Sequence, residues 1–200
     1  MTCSTSVLAI IPEGFEEIEL ITPVDLLRRA GSEVVLAGLT NHLKVSGRCG
    51  ISLNLDHQLA ALTPETFGLL LLPGGPGVRV LREDGRAQSL AKQFLDSDRW
   101  VAAICAAPSL LFDAGLLVGK RFTAHSSVAE ISPGALLEEE VVVDGRVVTS
   151  RGAGTALPFG LQLVAILHGA EKAHEIARAI MVSDSLRGVF PLRSPAAVVC

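Results

Sequence analysis

The 200-residue chain is 49% hydrophobic and carries a net charge of −4, which is enough apolar material for one compact domain and argues against disorder. Its Lys and Arg residues form no run, and with seven Phe, one Trp and no Tyr there is little to stack on bases, so a nucleic-acid surface is excluded. No apolar run approaches the roughly 20 residues a membrane helix needs, and no basic stretch precedes the first apolar segment, so no membrane contact and a cytoplasmic location are expected.

The predicted elements alternate. Residues 6–11 read as a buried strand, and Pro12-Glu13-Gly14 turns it into a helix carrying Glu16, Glu17 and Glu19, with Ile21, Val24 and Leu27 on an apolar stripe ending at Gly31. Pro23 predicts a kink or break near Thr22. Residues 33–37 form a second strand; 44–45 and 51–55 read as a short hairpin or excursion with Gly47 and Gly50 between them. Residues 68–72 are a third buried strand running into Pro73-Gly74-Gly75-Pro76-Gly77, followed by a helix over 86–95. Residues 100–105 are the next strand, and residues 121–123 another short one leading to His125. Segments 141–143 and 147–149 flank Asp144-Gly145, a hairpin signal. Thr155 is placed as the cap of a helix reaching residue 167, with a last helix over 171–181. Strands alternating with helices imply a mainly parallel sheet covered on both faces, in one domain over residues 1–187 with a tail at 188–200.

Residues 101–111, VAAICAAPSLL, carry the most chemistry. Four small or β-branched apolar residues make a central strand, Cys105 follows at once, and Pro108 suits a first helical turn. The thiol then sits on a strand-to-helix turn beside backbone N–H groups and a helix N-terminus, an arrangement that favours thiolate. Inert packing is the competing reading, and it is the one taken for Cys3 and Cys49; no function is attached to Cys200. The scatter of the four cysteines, with no C-x-x-C pair, speaks against a disulfide framework or zinc site.

In an open α/β sheet ligands collect beyond the carboxyl ends of the strands. The Glu16–Glu19 cluster, the PGGPG segment, Cys105 and His125 all fall at such ends. A nucleophile, an acid/base group and backbone donors meeting on one rim suit carbonyl chemistry. Each part has a plainer reading: a solvated helix face, a turn, a loop histidine. PGGPG lacks the spacing of either phosphate-binding glycine motif, so nucleotide binding is rejected.

Together, EGFEEIEL (13–20), TPVDLLRRAG (22–31), LLLPGGPG (70–77), AAICAAPSLL (102–111), TAHSS (123–127) and TSRGAGT (149–155) resemble the ThiJ/PfpI superfamily, in its glyoxalase and deglycase branch. The resemblance implies an α/β, flavodoxin-like three-layer sandwich with a mainly parallel sheet, assembled as a homodimer with the site near the interface. It implies that Cys105 is the reactive cysteine, Glu19 its protonated partner, and His125 the site histidine. It also implies Gly74, Gly75 and Ala106 as backbone donors to the substrate oxygen. Arg28, Glu16 and the turn bearing Arg151, Ala153 and Gly154, the last contributed by a neighbouring subunit, would shape the site and interface. Cofactors and metals are not expected. The protease-like branch carries a histidine after the cysteine, where this chain has Ala106, and amidotransferases want glycines beside it, where this chain has Ile104 and Ala106. The function implied is a cofactor-independent glyoxalase or protein deglycase acting on 2-oxoaldehydes or glycated amine adducts. The alternative is a redox-sensing chaperone in which oxidation of Cys105 is the main event.

Overall fold

A computed structural model describes residues 4–183; the predicted tail at 188–200, the domain boundary at 187, Cys3 and Cys200 lie outside the described residues. Nine strands are described: β1 (Val7–Ile11), β2 (Val34–Gly38), β3 (Lys44–Ser46), β4 (Ser52–Asn54), β5 (His57–Gln58), β6 (Leu69–Leu72), β7 (Trp100–Ile104), β8 (Val141–Asp144) and β9 (Val147–Ser150). Six helices accompany them: α1 (Glu17–Arg29), α2 (Val78–Asp84), α3 (Arg86–Asp96), α4 (Pro108–Asp113), α5 (Ala156–His168) and α6 (Ala170–Ala179).

The main sheet has the order β5-β2-β1-β6-β7-β9-β8 and is parallel except for the β8–β9 hairpin. β3 and β4 pair separately as the expected small antiparallel hairpin. Side-chain alternation divides the core in two. Val7, Ala9 and Ile11 of β1, with Leu69 and Leu71 of β6, pack among α1, α5 and α6 residues such as Leu27, Leu163 and Ile176. Leu8, Ile10, Leu70 and Leu72 face the other way, toward Leu81, Phe94 and Leu110 of α2, α3 and α4. Strands buried on both faces explain the unbroken apolar runs.

Several local expectations are corrected. Pro23 neither breaks nor ends α1, which runs continuously from Glu17 to Arg29. Pro23 is buried, and Gly160 of α5 offers no Cβ there; one would lie 3.0 Å from the Pro23 Cα and 2.6 Å from Leu26 Cδ1. Close packing of α5 thus holds the helix together across the one N–H that proline lacks, the N–H that would have bonded the Glu19 carbonyl. Residues 121–123 form no strand: Thr123 N–H donates to the Thr149 hydroxyl at 2.9 Å instead of joining the ladder. Thr155 precedes α5 but does not cap it, because its hydroxyl is spent on Ser150 at 2.7 Å and on the Gly152 carbonyl at 2.9 Å. α2 and β5 are additional elements that the sequence reading did not place.

Candidate active site

Four adjacent parallel strands, β1, β6, β7 and β9, deliver their carboxyl-end loops to one rim. The strand order reverses between β1 and β6, so this rim is also the switch point of the sheet. The loops are tied together by their backbones: Glu16 N–H donates to the Gly74 carbonyl at 3.1 Å, Gly77 N–H to Gly14 at 3.0 Å, and Cys105 N–H to Ser150 at 2.8 Å. His125 N–H donates to the Cys105 carbonyl at 2.8 Å. A cleft of about 420 Å³ opens here, lined among others by Glu16, Glu19, Gly75, Cys105, Ala106, His125 and Ala153.

Cys105 occupies a left-handed backbone conformation with φ of 64°. For a non-glycine residue this costs on the order of 1–2 kcal/mol, held here by β7 on one side and the Ala106–Pro108 turn on the other. It aims the side chain out of the sheet into the cleft, as a nucleophile elbow does.

Glu19 lies in the first turn of α1 and is 1% exposed. Glu16 precedes the helix and caps it, its Oε2 accepting the Glu19 N–H at 2.8 Å. Burial pushes the Glu19 carboxyl up to about 7; interactions with the Cys105 thiol and the Gly74 N–H oppose the rise and the charge of Glu16 adds to it. Its Oε2 has no hydrogen-bond partner among the described residues, as is also true of Glu17 Oε2.

The thiol behaves differently from the sequence expectation. Burial, then the charge and hydrogen bond of Glu19, push Cys105 up to about 12, against smaller lowering contributions from the Gly75 and Ala106 N–H groups. The helix-end donors are therefore present but outweighed while Glu19 is ionised. The two groups are better treated as one acid site sharing a proton. When Glu19 holds that proton its repulsion disappears and its O–H can donate to sulfur, leaving the two N–H donors to stabilise a thiolate.

The three expected donors divide between the two acids: the Gly74 N–H acts to lower the Glu19 carboxyl, and the Gly75 and Ala106 N–H groups act to lower the Cys105 thiol. Gly74 also has a steric role: a Cβ there would collide with Glu19 Oε2 and come within 2.6 Å of the Cys105 Cβ. Gly75 has φ of 92°, and a Cβ would fall 2.6 Å from Glu16 N. Only glycine suits either place.

His125 Nδ1 accepts the Ser127 N–H at 3.1 Å and lies 2.8 Å from the Ser127 hydroxyl. An accepting Nδ1 puts the proton of the neutral ring on Nε2, which makes the ring a donor.

Arg28 is not brought to this cleft. Its guanidinium donates to the Val34 carbonyl at 2.9 Å and lies 3.6 Å from Asp56, at the amino end of β2 and the far end of α1. The 151–154 turn, expected from a neighbouring subunit, reaches the rim from its own chain: Ala153 lines the cleft, and Arg151 and Gly154 line an adjoining hollow that shares His125. Arg151 is turned away, donating to the Leu137 carbonyl at 3.3 Å. The sequence reading missed Arg48, Arg79 and Arg82, all of which line the cleft. A reading of α2 as a helix would have found the last two, three residues apart just after PGGPG.

A flavodoxin-like sandwich with a cysteine elbow facing a buried acid at its switch point defines a recognisable class. The chain belongs to the DJ-1/PfpI family, whose model matches residues 5–166. It is 34% identical to the glutathione-independent glyoxalase DJR-1.2 of Caenorhabditis elegans, over 92% of this chain and 100% of that protein. It is 32% identical to a deglycase of Thermococcus kodakarensis, over 80% of this chain and 98% of the other. The crystal structure of Drosophila melanogaster DJ-1beta superposes with a TM-score of 0.85 at 35% identity, over 90% of this chain and 99% of that one. The chain spans 46% and 41% of the length of two Arabidopsis thaliana DJ-1 homologues that it also matches. No helix among the described residues is long and apolar enough to cross a membrane.

Proposed function

We propose that this protein is a glutathione-independent glyoxalase with Cys105 as nucleophile, converting 2-oxoaldehydes to 2-hydroxy acids. The observation that carries the reading is the buried Glu19, pushed up to about 7, sharing one site with a thiol on a left-handed elbow. Both relatives named above, a glyoxalase and a deglycase, support it.

The thiolate adds to the aldehyde carbon, and the new alkoxide takes a proton to give a hemithioacetal. Gly75 and Ala106 N–H, together with His125 Nε2–H at the cleft, supply donors for the developing oxygen charge. Glu19, now ionised, removes the proton from the former aldehyde carbon and returns it to the neighbouring carbonyl carbon, leaving a thioester. Water attacks the thioester, the C–S bond breaks, and the hydroxy acid leaves with the thiolate restored. The oxidation of one carbon balances the reduction of its neighbour, so no external oxidant enters. The same thiolate attack on an early carbonyl adduct of an amine, with release of the amine, would constitute deglycation.

The test is lactate formed from methylglyoxal without glutathione. Wild-type protein is expected to turn over and Cys105→Ala to lose activity by at least about a thousandfold; equal rates would sink the reading.

The raised Glu19 carboxyl beside the thiol supports a second role for the same sulfur. Two equivalents of peroxide convert the thiolate to sulfenate and then sulfinate, each releasing water or hydroxide, and a neutral Glu19 can donate to a sulfinate oxygen. Mild peroxide followed by mass spectrometry should then modify Cys105 before the exposed Cys49. Equal modification of the two counts against a sensor.

We also infer a homodimer formed through α1. Ile18 and Ile21 are 53% and 41% exposed on that helix, and Ile51, 56% exposed, lies in the hairpin that Glu17 ties to it. Ile18→Glu should shift the sedimentation of the protein from dimer to monomer.

A further inference from the structure

The cleft is wider than a three-carbon aldehyde needs, and its outer wall is basic. Arg79 and Arg82 from α2 and Arg48 from the loop between β3 and β4 all line it. We propose that these arginines make the site selective for 2-oxoaldehydes carrying an anionic group, a carboxylate or a phosphate, at the end remote from the reacting carbonyls. The proposal rests on Cys105 being the nucleophile and adds the chemical class of the substrate.

The three guanidiniums are not equivalent. Arg82 is fixed: its Nε donates to Asp113 at 2.7 Å, and its Nη2 donates to the Ser109 hydroxyl. That hydroxyl donates in turn to the Ala106 carbonyl at 2.7 Å, on the turn that carries Cys105. Arg82 is thus registered to the nucleophile, with its charge balanced by Asp113. It forms a rigid donor edge.

Arg79 and Arg48 supply the uncommitted charge. Arg79 has a loose pair with Glu83 at 3.7 Å, the two side chains being 80% and 70% exposed. Such a pair contributes little and yields to a stronger partner. Arg48 has its backbone pinned by N–H donation to the Phe15 carbonyl at 2.8 Å, while no carboxylate among the described residues lies within ion-pair distance of its guanidinium. Its charge is nevertheless felt by Glu19.

Glu16, which caps α1, and Glu19, the shared acid of the reaction, also line the cleft, but neither lies within ion-pair distance of Arg48 or Arg79 among the described residues. A neutral substrate leaves Arg48 and Arg79 to water, whereas a substrate ending in an anion gains charge-assisted and bidentate bonds that guanidinium provides. Because the anion sits at the mouth and the aldehyde at the base, the charge also orients the chain with its carbonyl carbon toward sulfur.

Three probes separate the cases: methylglyoxal, 4,5-dioxopentanoate and 3-phosphooxy-2-oxopropanal, which end in a methyl, a carboxylate and a phosphate. At least one anionic probe should exceed methylglyoxal in kcat/KM by about tenfold, the worth of one charge-assisted bond. That ratio should fall in Arg79→Gln, fall further in Arg48→Gln/Arg79→Gln, and shrink with added salt. Arg121→Gln, on a different surface, should leave it unchanged. Whether the carboxylate or the phosphate wins identifies which anion fits, and either supports selectivity. A ratio at or below one, or one that Arg79→Gln does not move, overturns it.

A second measurement does not require turnover. Cys105 is alkylated with iodoacetate and with iodoacetamide, each with loss of iodide, and the ratio of rates is read by mass spectrometry. The ratio should drop at least about threefold in Arg48→Gln/Arg79→Gln if the arginines draw anions to the sulfur. Should no aldehyde be turned over while this ratio drops, the glyoxalase reading fails and anion recognition stands. Should aldehydes be turned over while both ratios stay fixed, the reverse holds.

Discussion

Glu17 and Glu19 are two residues apart on α1, both buried, and the protein treats them in opposite ways. Burial raises both. At Glu17 the N–H groups of its own backbone, Cys49 and Ile51, with the Cys49 thiol, outweigh it and hold the carboxyl below its usual range. Cys49 N–H donates at 2.8 Å and Ile51 N–H at 3.3 Å, so the carboxylate clamps the β3–β4 hairpin to the helix. At Glu19 the donors are fewer, a thiol and the Gly74 N–H, and burial wins. The lesson is that donor supply, together with depth, separates a structural carboxylate from a reactive acid.

The sharpest way to break the contrast is Gly74→Ala. Its methyl group must displace either the Glu19 carboxyl or the Cys105 side chain. We expect roughly 3 kcal/mol lost in urea unfolding, with methylglyoxal turnover abolished.

Glu19→Gln should have the next largest effect, visible in how stability varies with pH. The folded state holds its proton to about 7, whereas an ordinary carboxyl releases it near 4.5. Between those values the folded protein binds more protons than the unfolded chain, so wild-type stability falls as pH rises through the window. The full loss is on the order of 3 kcal/mol. The glutamine variant should show a flatter profile there, and an unchanged slope would contradict a neutral Glu19.

Glu17→Ala sharpens the comparison from the other side. It should leave the pH profile in that window intact while raising hydrogen exchange at the Cys49 and Ile51 amides by about tenfold. Smallest is the strain at Cys105. Cys105→Gly should be more stable than Cys105→Ala by about 1 kcal/mol in urea unfolding, because only glycine adopts that φ freely.

Much of the frame was legible because burial on both sheet faces writes itself as apolar runs. β1, β6 and β7 are such runs, and the Cys105 elbow follows from a strand that ends in a turn with Pro108 behind it. Other features have no local signature. β5 is two exposed polar residues, His57 and Gln58, whose strand character comes only from pairing with Ala37 and Gly38. α2 has only Val78 and Leu81 facing the core and is closed off by Gly85, so its period is too short to read. The continuity of α1 through Pro23 depends on Gly160, more than a hundred residues away. The raised thiol depends first on burial in the folded rim and then on a carboxyl from another element, and the far-end placement of Arg28 depends on where α1 stops. In the site, identities were readable, whereas the split of donors between Gly74 and Gly75 was fixed only by packing.

The absence of a side chain at position 74 bears on how such a site can diversify. Every substitution there meets backbone or a reacting group, so a randomised library should return only the parent residue. α2 is the opposite case, since Arg79 is solvent-facing and Pro76 stands exposed at the helix entrance. Substrate range in this scaffold is therefore expected to drift by exchange along that helix while the glycine turn beneath it stays frozen.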